Sequence, residues 1–327
     1  MNRYRVLLFG RWNRRCYATY YFRRAFAALG CEVVGMGPWE EDEPWGTHGR
    51  EPDIEWPERG SPRRQPAEYD YASMERALGY RPDLLFLCDQ GEHLVVPDIP
   101  AGVRWVHYSA EGVAMDWSRG QTPYRYASIM CNGADDGVTW LPNGYDPVVH
   151  PLHPDPGMPR EYDLIQVAAP RPGRQWLWKQ LYPLAPDLHI YTGEFYGPLY
   201  AAAHHNARAA WVCATYDFIT MHTFEAMAMG CIVLADRHPI PNPGHPPPPI
   251  AYSNALTKLF TEGEHFIGYD SLQGPDWERV PDPRWLIEMA REIKAGQYAH
   301  IAPAARAAVA RHRYQDRAAQ VLAEVFS

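Results

Sequence analysis

Short apolar runs alternate with helical patterns along the first part of the chain. Arg5–Phe9 and Cys31–Gly35 have the length and apolar content of buried strands, and between them Tyr17–Leu29 has helical periodicity and ends at Gly30. Together they predict one β-α-β unit. The alternation then resumes and predicts a helix and three strands, which are Tyr69–Leu78, Leu84–Cys88, Val103–His107 and Ile129–Cys131. This order is typical of a parallel sheet covered by helices.

A second alternating series occupies the C-terminal half of the 327-residue chain. Turn residues and prolines separate the two series, so we predict two doubly wound α/β domains, residues 1–145 and 146–300. We expect residues 301–327 to form a helix that packs back on the N-terminal domain. The predicted elements of this half are Asp163–Ala168, Gln175–Tyr182, Leu188–Tyr191, Leu199–His205, Ala209–Cys213, Met221–Met229, Ile232–Ala235, Ser253–Phe260, Trp285–Lys294 and a long Ala-rich helix over Ala304–Val325.

Two segments lack any period. Pro38–Tyr69 is dense in proline and glycine, and it contains tryptophans such as Trp45 and Trp56. One interpretation is an acceptor-side lid whose tryptophans stack on a sugar or a base, and the other is an ordered surface loop that is packed by its own tryptophans. Asp42–Arg64 contains no predicted strand or helix. If the segment is a lid, a short linker could therefore replace these residues without unfolding the domain. The second segment, Pro239–Pro249, is typical of a stiff polyproline-type spacer.

Composition excludes several classes of protein. Asp and Glu outnumber Lys and Arg by 39 to 31, and a net charge of −8 provides no long-range attraction to nucleic acid or anionic lipid. No apolar run approaches the roughly 18 residues of a membrane span, and the N-terminus does not have a signal-peptide pattern, so we expect a cytoplasmic location. Six scattered cysteines predict reduced thiols, and adjacent His204 and His205 cannot face one metal ion, so no metal site is predicted.

The segment after the strand that is predicted to end at Cys213 combines two carboxylates with a helix. Asp217 lies in the predicted loop, and Glu225 lies about one turn into the helix, before Gly230 and another apolar strand. Ligands of such folds bind at the carboxyl ends of the strands, and the N–H groups of a helix N-terminus suit a phosphate. We therefore expect both carboxylates to face a cleft around the start of this helix.

Three segments resemble parts of one enzyme family. Glu225-Ala-Met-Ala-Met-Gly, with Asp217 eight positions earlier, resembles the E-x7-E donor-binding element of retaining, family-4-like GT-B glycosyltransferases. Leu141–Asp146 resembles the L-P-N-G-V-D segment that opens the interdomain linker of those enzymes. Leu256–Asp270 resembles a segment of the CgeB-type spore-maturation branch, with His265 where that pattern has glutamate. The resemblance implies a GT-B fold, in which two Rossmann-like domains face a cleft.

The resemblance also implies roles for residues of the helix. Glu225 would hold the ribose hydroxyls of a nucleoside-diphosphate sugar, and Asp217 would face the donor sugar. His222 and Thr223, on the first turn, would lie beside the diphosphate. Asp217 departs from the family pattern because it replaces a glutamate. The competing interpretations are an exposed helical carboxylate for Glu225 and an N-terminal helix cap for Asp217.

A second family element precedes this one. Gly173-Arg174 with Lys179 resembles a Gly-Arg-x4-Lys element, whose two cations neutralise the diphosphate leaving group. Pro170–Pro172 stands between the strand and Gly173, which is a departure from the pattern. Arg174 and Lys179 could equally belong to a solvated helix face.

The N-terminal domain offers candidates only through the position of its strand ends. Gly10 and Arg11 follow the first strand, where Arg11 could contact a donor phosphate or belong to a solvated arginine cluster. His107 ends a later strand and Glu111 follows it, so both could handle an acceptor or simply satisfy buried backbone groups. No G-x-G-x-x-G follows the first strand, which weighs against a dinucleotide-binding module.

These observations favour a glycosyltransferase that uses a nucleoside-diphosphate sugar as co-substrate, with no other cofactor and no metal ion. Retention of anomeric configuration is implied by the resemblance. A nucleotide-sugar epimerase of the same fold and a non-catalytic nucleotide-binding module are the alternatives. The acceptor stays open among a small molecule, a glycan, a protein and a modified nucleobase, and the net charge of −8 disfavours the nucleobase.

Overall fold

The computed structural model describes residues 3–12, 17–38, 51–56, 67–89, 94–110, 122, 124–128, 138–151, 160–168, 170–195, 197–212, 219–237, 255–273 and 279–327. The chain divides into two units. Unit 1 comprises Met1–Asn143 and Tyr314–Ser327, and unit 2 comprises Gly144–Arg313. Among the described residues, no helix is long and apolar enough to cross a membrane.

Unit 1 is built on a seven-stranded sheet in which every neighbouring pair of strands is parallel. Its elements are β1 (Arg5–Gly10), α1 (Tyr17–Ala28), β2 (Glu32–Gly37), β3 (Ile54–Glu55), β4 (Ala67–Glu68), α2 (Tyr71–Leu78), β5 (Leu84–Asp89), β6 (Leu94–Val95), β7 (Arg104–Ser109), β8 (Tyr124–Ala127) and β9 (Val138–Trp140). The strand order is β3-β2-β1-β5-β7-β8-β9, and β4 pairs separately with β6.

The central strands of unit 1 are apolar on both faces because both faces are covered. One face packs Leu7, Phe9, Leu85 and Leu87 against Met74 of α2 and its neighbours. The other face carries an aromatic cluster, in which the ring of Phe22 lies 4.8 to 5.2 Å from those of Phe86, Tyr108 and Tyr314.

Unit 2 contains a five-stranded sheet, also parallel throughout, in the order β11-β10-β12-β13-β14. Its elements are β10 (Tyr162–Val167), α3 (Pro172–Leu184), β11 (Ile190–Gly193), α4 (Gly197–His205), β12 (Ala207–Val212), α5 (Met221–Ala228), β13 (Ile232–Asp236), α6 (Ala255–Leu259), β14 (Ile267–Tyr269), β15 (Leu272–Gln273), β16 (Arg279–Val280), α7 (Pro283–Lys294) and α8 (Ile301–Val309). The prediction of two doubly wound α/β domains is confirmed.

The C-terminal part of the chain differs from its prediction. A single helix over Ala304–Val325 was expected, but α8 ends at Val309 and a separate helix, α9, covers Tyr314–Phe326. In the interruption, the Tyr145 N–H donates to the His312 carbonyl oxygen at 3.2 Å, and Tyr145 forms a β-bridge with Arg313. The break falls where the chain leaves unit 2 and returns to unit 1.

Part of the segment that was interpreted as a lid or a surface loop belongs to the sheet of unit 1. Within Pro38–Tyr69, Ile54–Glu55 forms strand β3 beside β2, and the Asp53 carboxylate accepts a hydrogen bond from the Gly35 N–H at 2.6 Å. Trp56 is partly buried and packs against the apolar core of unit 1. The expectation that Asp42–Arg64 contains no strand is therefore wrong. Trp45, the Pro239–Pro249 spacer and the strand predicted at Ile129–Cys131 lie outside the described residues.

Candidate functional site

A pocket opens in unit 2 at the carboxyl ends of β10 and β12. Ligands of parallel α/β sheets bind at these ends because helix N-termini and loops converge there. Polar groups come from three helices and one strand. The lining consists of Ile165, Gln166, Val167, Ala168, Arg174, His204, Ala210, Trp211, Val212 and His222.

Arg174 reaches this pocket because of the way in which α3 begins. Arg171 is the N-cap with extended backbone, and Pro172 occupies the first helical position, where a missing N–H costs nothing. Arg174 therefore lies on the first turn, and its side chain is only 8% exposed. The interpretation of Arg174 as part of a solvated helix face is wrong.

Lys179 lies on the same helix but does not line the pocket. Residues five positions apart in an α-helix point about 140° apart, because each residue turns the helix by about 100°. Lys179 is accordingly exposed, as a solvated helix face requires. The structure thus brings Arg174 of the Gly-Arg-x4-Lys element to the pocket and leaves Lys179 outside its lining.

His222 and Thr223 lie on the first turn of α5, after Thr220 as N-cap. The half-buried ring of His222 lines the pocket. Thr223 is buried, and its hydroxyl lies 3.3 Å from that of Thr220. Of the two, His222 is therefore the residue that faces the pocket.

The charges of the lining follow from burial. Burial, the nearby Arg174 cation and His204 together lower the pKa of His222 to about 3. Burial lowers the pKa of His204 to about 4. Both imidazoles are neutral at neutral pH, so among the lining side chains Arg174 alone carries a charge there.

Glu225 lies one turn further along α5 and is only 2% exposed. Its Oε2 accepts a hydrogen bond of 2.7 Å from the Tyr200 hydroxyl, and its Oε1 lies 3.5 Å from Nε2 of His150. The interpretation of Glu225 as an exposed helical carboxylate is therefore wrong. Glu225 is a fixed, buried carboxylate behind the pocket and does not belong to its lining.

Sequence reasoning did not find Tyr200 or His150. Tyr200 and His204 are four residues apart on α4, so they share a helix face, and their ring centroids lie 4.2 Å apart. That spacing was readable within the predicted helix Leu199–His205. His150 stands in an irregular Pro- and His-rich stretch, and no local pattern marks it as a neighbour of Glu225.

In unit 1, His107 is 7% exposed on β7 and pairs in register with Leu87 and Arg125 of the adjacent strands. Gly10 ends β1 where a Cβ atom would lie 2.6 Å from the Cys88 carbonyl oxygen, so close packing of strands already requires glycine there.

Arg11, the next residue, is half-buried. Asp217 and Glu111 lie outside the described residues. In the part of the chain that the structure describes, no three His, Cys, Asp or Glu side chains are grouped as metal ligands.

Solved structures show what this fold is. Sucrose-phosphate synthase from Thermosynechococcus elongatus matches with a TM-score of 0.58 at 13% identity, over 99% of this chain and 98% of that chain. An alpha-glucosyltransferase in complex with UDP and a DNA containing an HMU base matches with a TM-score of 0.57 at 11% identity, over 96% of both chains. A putative UDP-N-acetylglucosamine 2-epimerase from Listeria monocytogenes matches with a TM-score of 0.52 at 12% identity, over 99% of this chain and 96% of that chain. The fold is that of the GT-B glycosyltransferases.

A comparison of the sequence with protein families also points to glycosyl transfer. Residues 172–323 match the family described as Glycosyl transferase-like, and the matched region contains Arg174, His222 and Glu225. Together with the fold, this match supports a glycosyltransferase enzyme. No curated protein matches the chain.

Proposed function

We propose that this protein transfers a sugar from a nucleoside-diphosphate sugar to an acceptor, with retention of the anomeric configuration and without a metal ion. The observation that carries the proposal is the buried Arg174 guanidinium in a pocket at the carboxyl ends of parallel strands. The first turn of α5 adjoins the same pocket through His222.

Arg174 and α5 suit a diphosphate for two reasons. A guanidinium in a partly dry pocket attracts an anion more strongly than it would in water, because the local dielectric is lower. The N-terminus of α5 adds partial positive charge and N–H donors. Negative charge on the diphosphate grows as the glycosidic bond breaks, so both features stabilise the leaving group.

Glu225 remains our proposed ribose-binding carboxylate. This carboxylate lies one turn along α5 from His222, which lines the pocket. Asp217 toward the donor sugar, and His107 and Glu111 toward the acceptor, stay predictions. The CgeB-type branch also stays a prediction, which rests on Leu256–Asp270 alone.

The choice of donor is supported by two structural relatives, an alpha-glucosyltransferase in complex with UDP and a putative UDP-N-acetylglucosamine 2-epimerase. We therefore propose a uridine diphosphate sugar as the first donor to test. The relatives do not reduce the list of possible acceptors, because structural similarity at 11 to 13% identity shows only a shared fold. A small molecule, a glycan, a protein and a modified nucleobase all remain open.

Donor binding tests the proposal, with Lys179→Ala as the matched control for Arg174→Ala. A thermal-shift screen of UDP-, GDP-, ADP- and TDP-sugars identifies the donor, since a ligand at about 100 times its Kd stabilises by about 2.7 kcal/mol. Titration then measures its affinity for both variants. We expect Arg174→Ala to weaken binding by about 1.5–3 kcal/mol, the range for a hydrogen bond to a charged group. Lys179→Ala should bind like wild type, because its side chain is exposed outside the pocket.

Equal affinity of the two variants for the donor would contradict the assignment of the pocket. If no nucleotide sugar in the screen stabilises the protein, nucleotide-sugar binding is contradicted. Incubation of the donor without acceptor then separates the reactions. A transferase hydrolyses the donor slowly, an epimerase equilibrates the sugar with its epimer, and a binding module leaves the donor unchanged.

A further inference from the structure

The pocket of unit 2 brings two imidazoles and one guanidinium together from three helices. Arg174 comes from α3, His204 from α4 and His222 from α5. The ring of Tyr200 lies against both histidines, with centroid separations of 4.2 Å to His204 and 5.8 Å to His222. A ligand in this pocket therefore meets groups that can change their charge.

We propose that His222 takes up a proton from solvent when a diphosphate enters this pocket, and so becomes the second cation that holds it. The inference rests on the proposed function and adds how the same site responds to its ligand. The proton binds to an imidazole nitrogen, and no other bond forms or breaks.

In the empty pocket, the surroundings oppose a charge on His222. Burial, the Arg174 cation and His204 hold its pKa near 3, and the positive end of the α5 dipole acts in the same direction. A diphosphate reverses this balance. It offsets the field of Arg174 and offers oxygen acceptors to the imidazolium, both of which raise the pKa of His222.

The groups that surround His222 favour it over His204 as the proton acceptor. His204 is almost fully buried, and its Nδ1 lies 2.9 Å from the Tyr200 carbonyl oxygen, so its ring is fixed within α4. Burial of His204, not Arg174, is the main cause of its low pKa. Burial is the largest cause of the low pKa of His222 as well, but the Arg174 cation lowers the pKa of His222 and not that of His204, so an anion that neutralises Arg174 acts mainly on His222.

Among the described residues, the other polar groups near this ring are neutral or fixed. Gln166 of β10 lines the pocket, and its Oε1 accepts a hydrogen bond of 2.6 Å from Trp178. Glu225, one turn along α5, accepts its hydrogen bond from Tyr200. Neither of these groups competes with a bound diphosphate for the charge on His222.

The proposal fixes the direction of the pH dependence. Since binding takes up a proton, affinity rises as the pH falls below the pKa that His222 has in the complex. The slope approaches about tenfold in Kd per pH unit. A pocket whose only cation is Arg174 would bind with nearly constant affinity over the same range.

Calorimetry with UDP-glucose measures the proton directly. Both of its phosphates are esterified, so the ligand itself does not titrate near about pH 6.5. Titrations of the full chain in two buffers with different ionisation enthalpies give the number of protons taken up per ligand. We expect uptake with wild type, with His204→Asn and with His189→Asn, an exposed control before β11. We expect none with His222→Asn, which should also lose the rise in affinity at lower pH.

The other outcomes overturn the proposal. Binding of UDP-glucose without proton uptake, uptake that persists in His222→Asn, or uptake that is lost only in His204→Asn each contradict it and leave the proposed function intact. If His222→Asn does not fold, the imidazole resonances of wild type, followed by NMR with and without ligand, must show a raised pKa for His222. If UDP-glucose does not bind wild type, the same titrations use the donor found in the nucleotide-sugar screen, and if no nucleoside-diphosphate sugar binds, the proposed function and this inference both fail.

Discussion

At the scale of single residues, the candidate site depends on a carboxylate held in the interior. Glu225 accepts a hydrogen bond from the Tyr200 hydroxyl and lies beside His150, and these two contacts fix its side chain. Arg174 and His222 line the pocket itself. A buried carboxylate without such partners would be costly. Tyr200 therefore has a structural role that the sequence motif does not reveal.

Tyr200→Phe tests this role. The change leaves a buried carboxylate with one hydrogen bond fewer, and we expect the free energy of unfolding to fall by about 1.5–3 kcal/mol. Tyr182→Phe is the matched control, because its hydroxyl bonds to Thr192 at the exposed surface and its loss should change stability by less than about 0.5 kcal/mol. Urea denaturation of both variants measures the difference. Equal stabilities would mean that the Tyr200 bond contributes nothing to the fold.

The sequence predicts these residues only as far as a motif names them. Arg174, His222 and Glu225 were found through the resemblance to family motifs, and the structure places the first two in one pocket with Glu225 behind it. Lys179 was carried over with Arg174, although helical geometry alone turns it away from Arg174. His150 could not be found, because its contact with Glu225 spans 75 positions and depends on the tertiary fold.

At the scale of elements, the ends of β1 and β2 meet without room for a side chain. Gly37 has a φ of +150°, and a Cβ atom there would lie 1.8 Å from the Gly10 carbonyl oxygen. Trp12 occupies the adjoining space and donates from Nε1 to the Met36 carbonyl oxygen at 2.9 Å. Close backbone packing therefore requires glycine at the ends of β1 and β2.

Gly37→Ala should destabilise unit 1 by at least about 2 kcal/mol, because it combines backbone strain with overpacking. Gly102→Ala is the control, since its added methyl group meets no atom within 4 Å. Thermal unfolding, followed by circular dichroism, compares the two variants with wild type. Equal melting temperatures for Gly37→Ala and wild type would show that the backbone relaxes without cost.

Central elements were predictable and marginal ones were not. β1, β5, β10 and β12 are six-residue strands rich in apolar residues, so their pattern identifies them. β3, β4 and β14 contain two or three residues each, which is too short for any period, and they exist because a neighbouring strand offers hydrogen bonds. For the same reason, the sequence of Pro38–Tyr69 predicted only a lid or a surface loop, whereas residues 54–55 extend the sheet.

At the scale of the whole molecule, unit 1 is completed by a helix from the other end of the chain. The Tyr314 ring of α9 lies 5.1 Å from Tyr21, and Arg317 donates to the Pro142 carbonyl oxygen at 3.0 Å. Tyr126 of β8 also donates to Glu324 of α9, at 2.5 Å. Helix α9 thus covers the aromatic face of the unit 1 sheet.

Tyr314→Ala should remove about 3–5 kcal/mol from the stability of unit 1, the range for deletion of a large buried aromatic side chain. Gln320→Ala on the same helix is the control, because its amide bonds to Glu324 at the surface. Hydrogen exchange of the full chain should show faster exchange in β1, β5 and β7, while the strands of unit 2 keep their protection. Equal acceleration in both units would mean that they unfold as one cooperative body.

The chain order of the two units has a consequence for biosynthesis. Unit 2 is a continuous segment, Gly144–Arg313, whereas unit 1 needs both the first strand and the helix that follows unit 2. During translation, the strands of unit 1 leave the ribosome first but lack the cover that Tyr314 and its neighbours provide to Phe22 and Tyr108. Unit 2 can therefore fold from one contiguous segment that holds its whole sheet and the pocket, whereas unit 1 is complete only after α9 has docked on its sheet. Until α9 docks, the aromatic face of that sheet stays exposed, and exposed apolar surface of this kind favours aggregation.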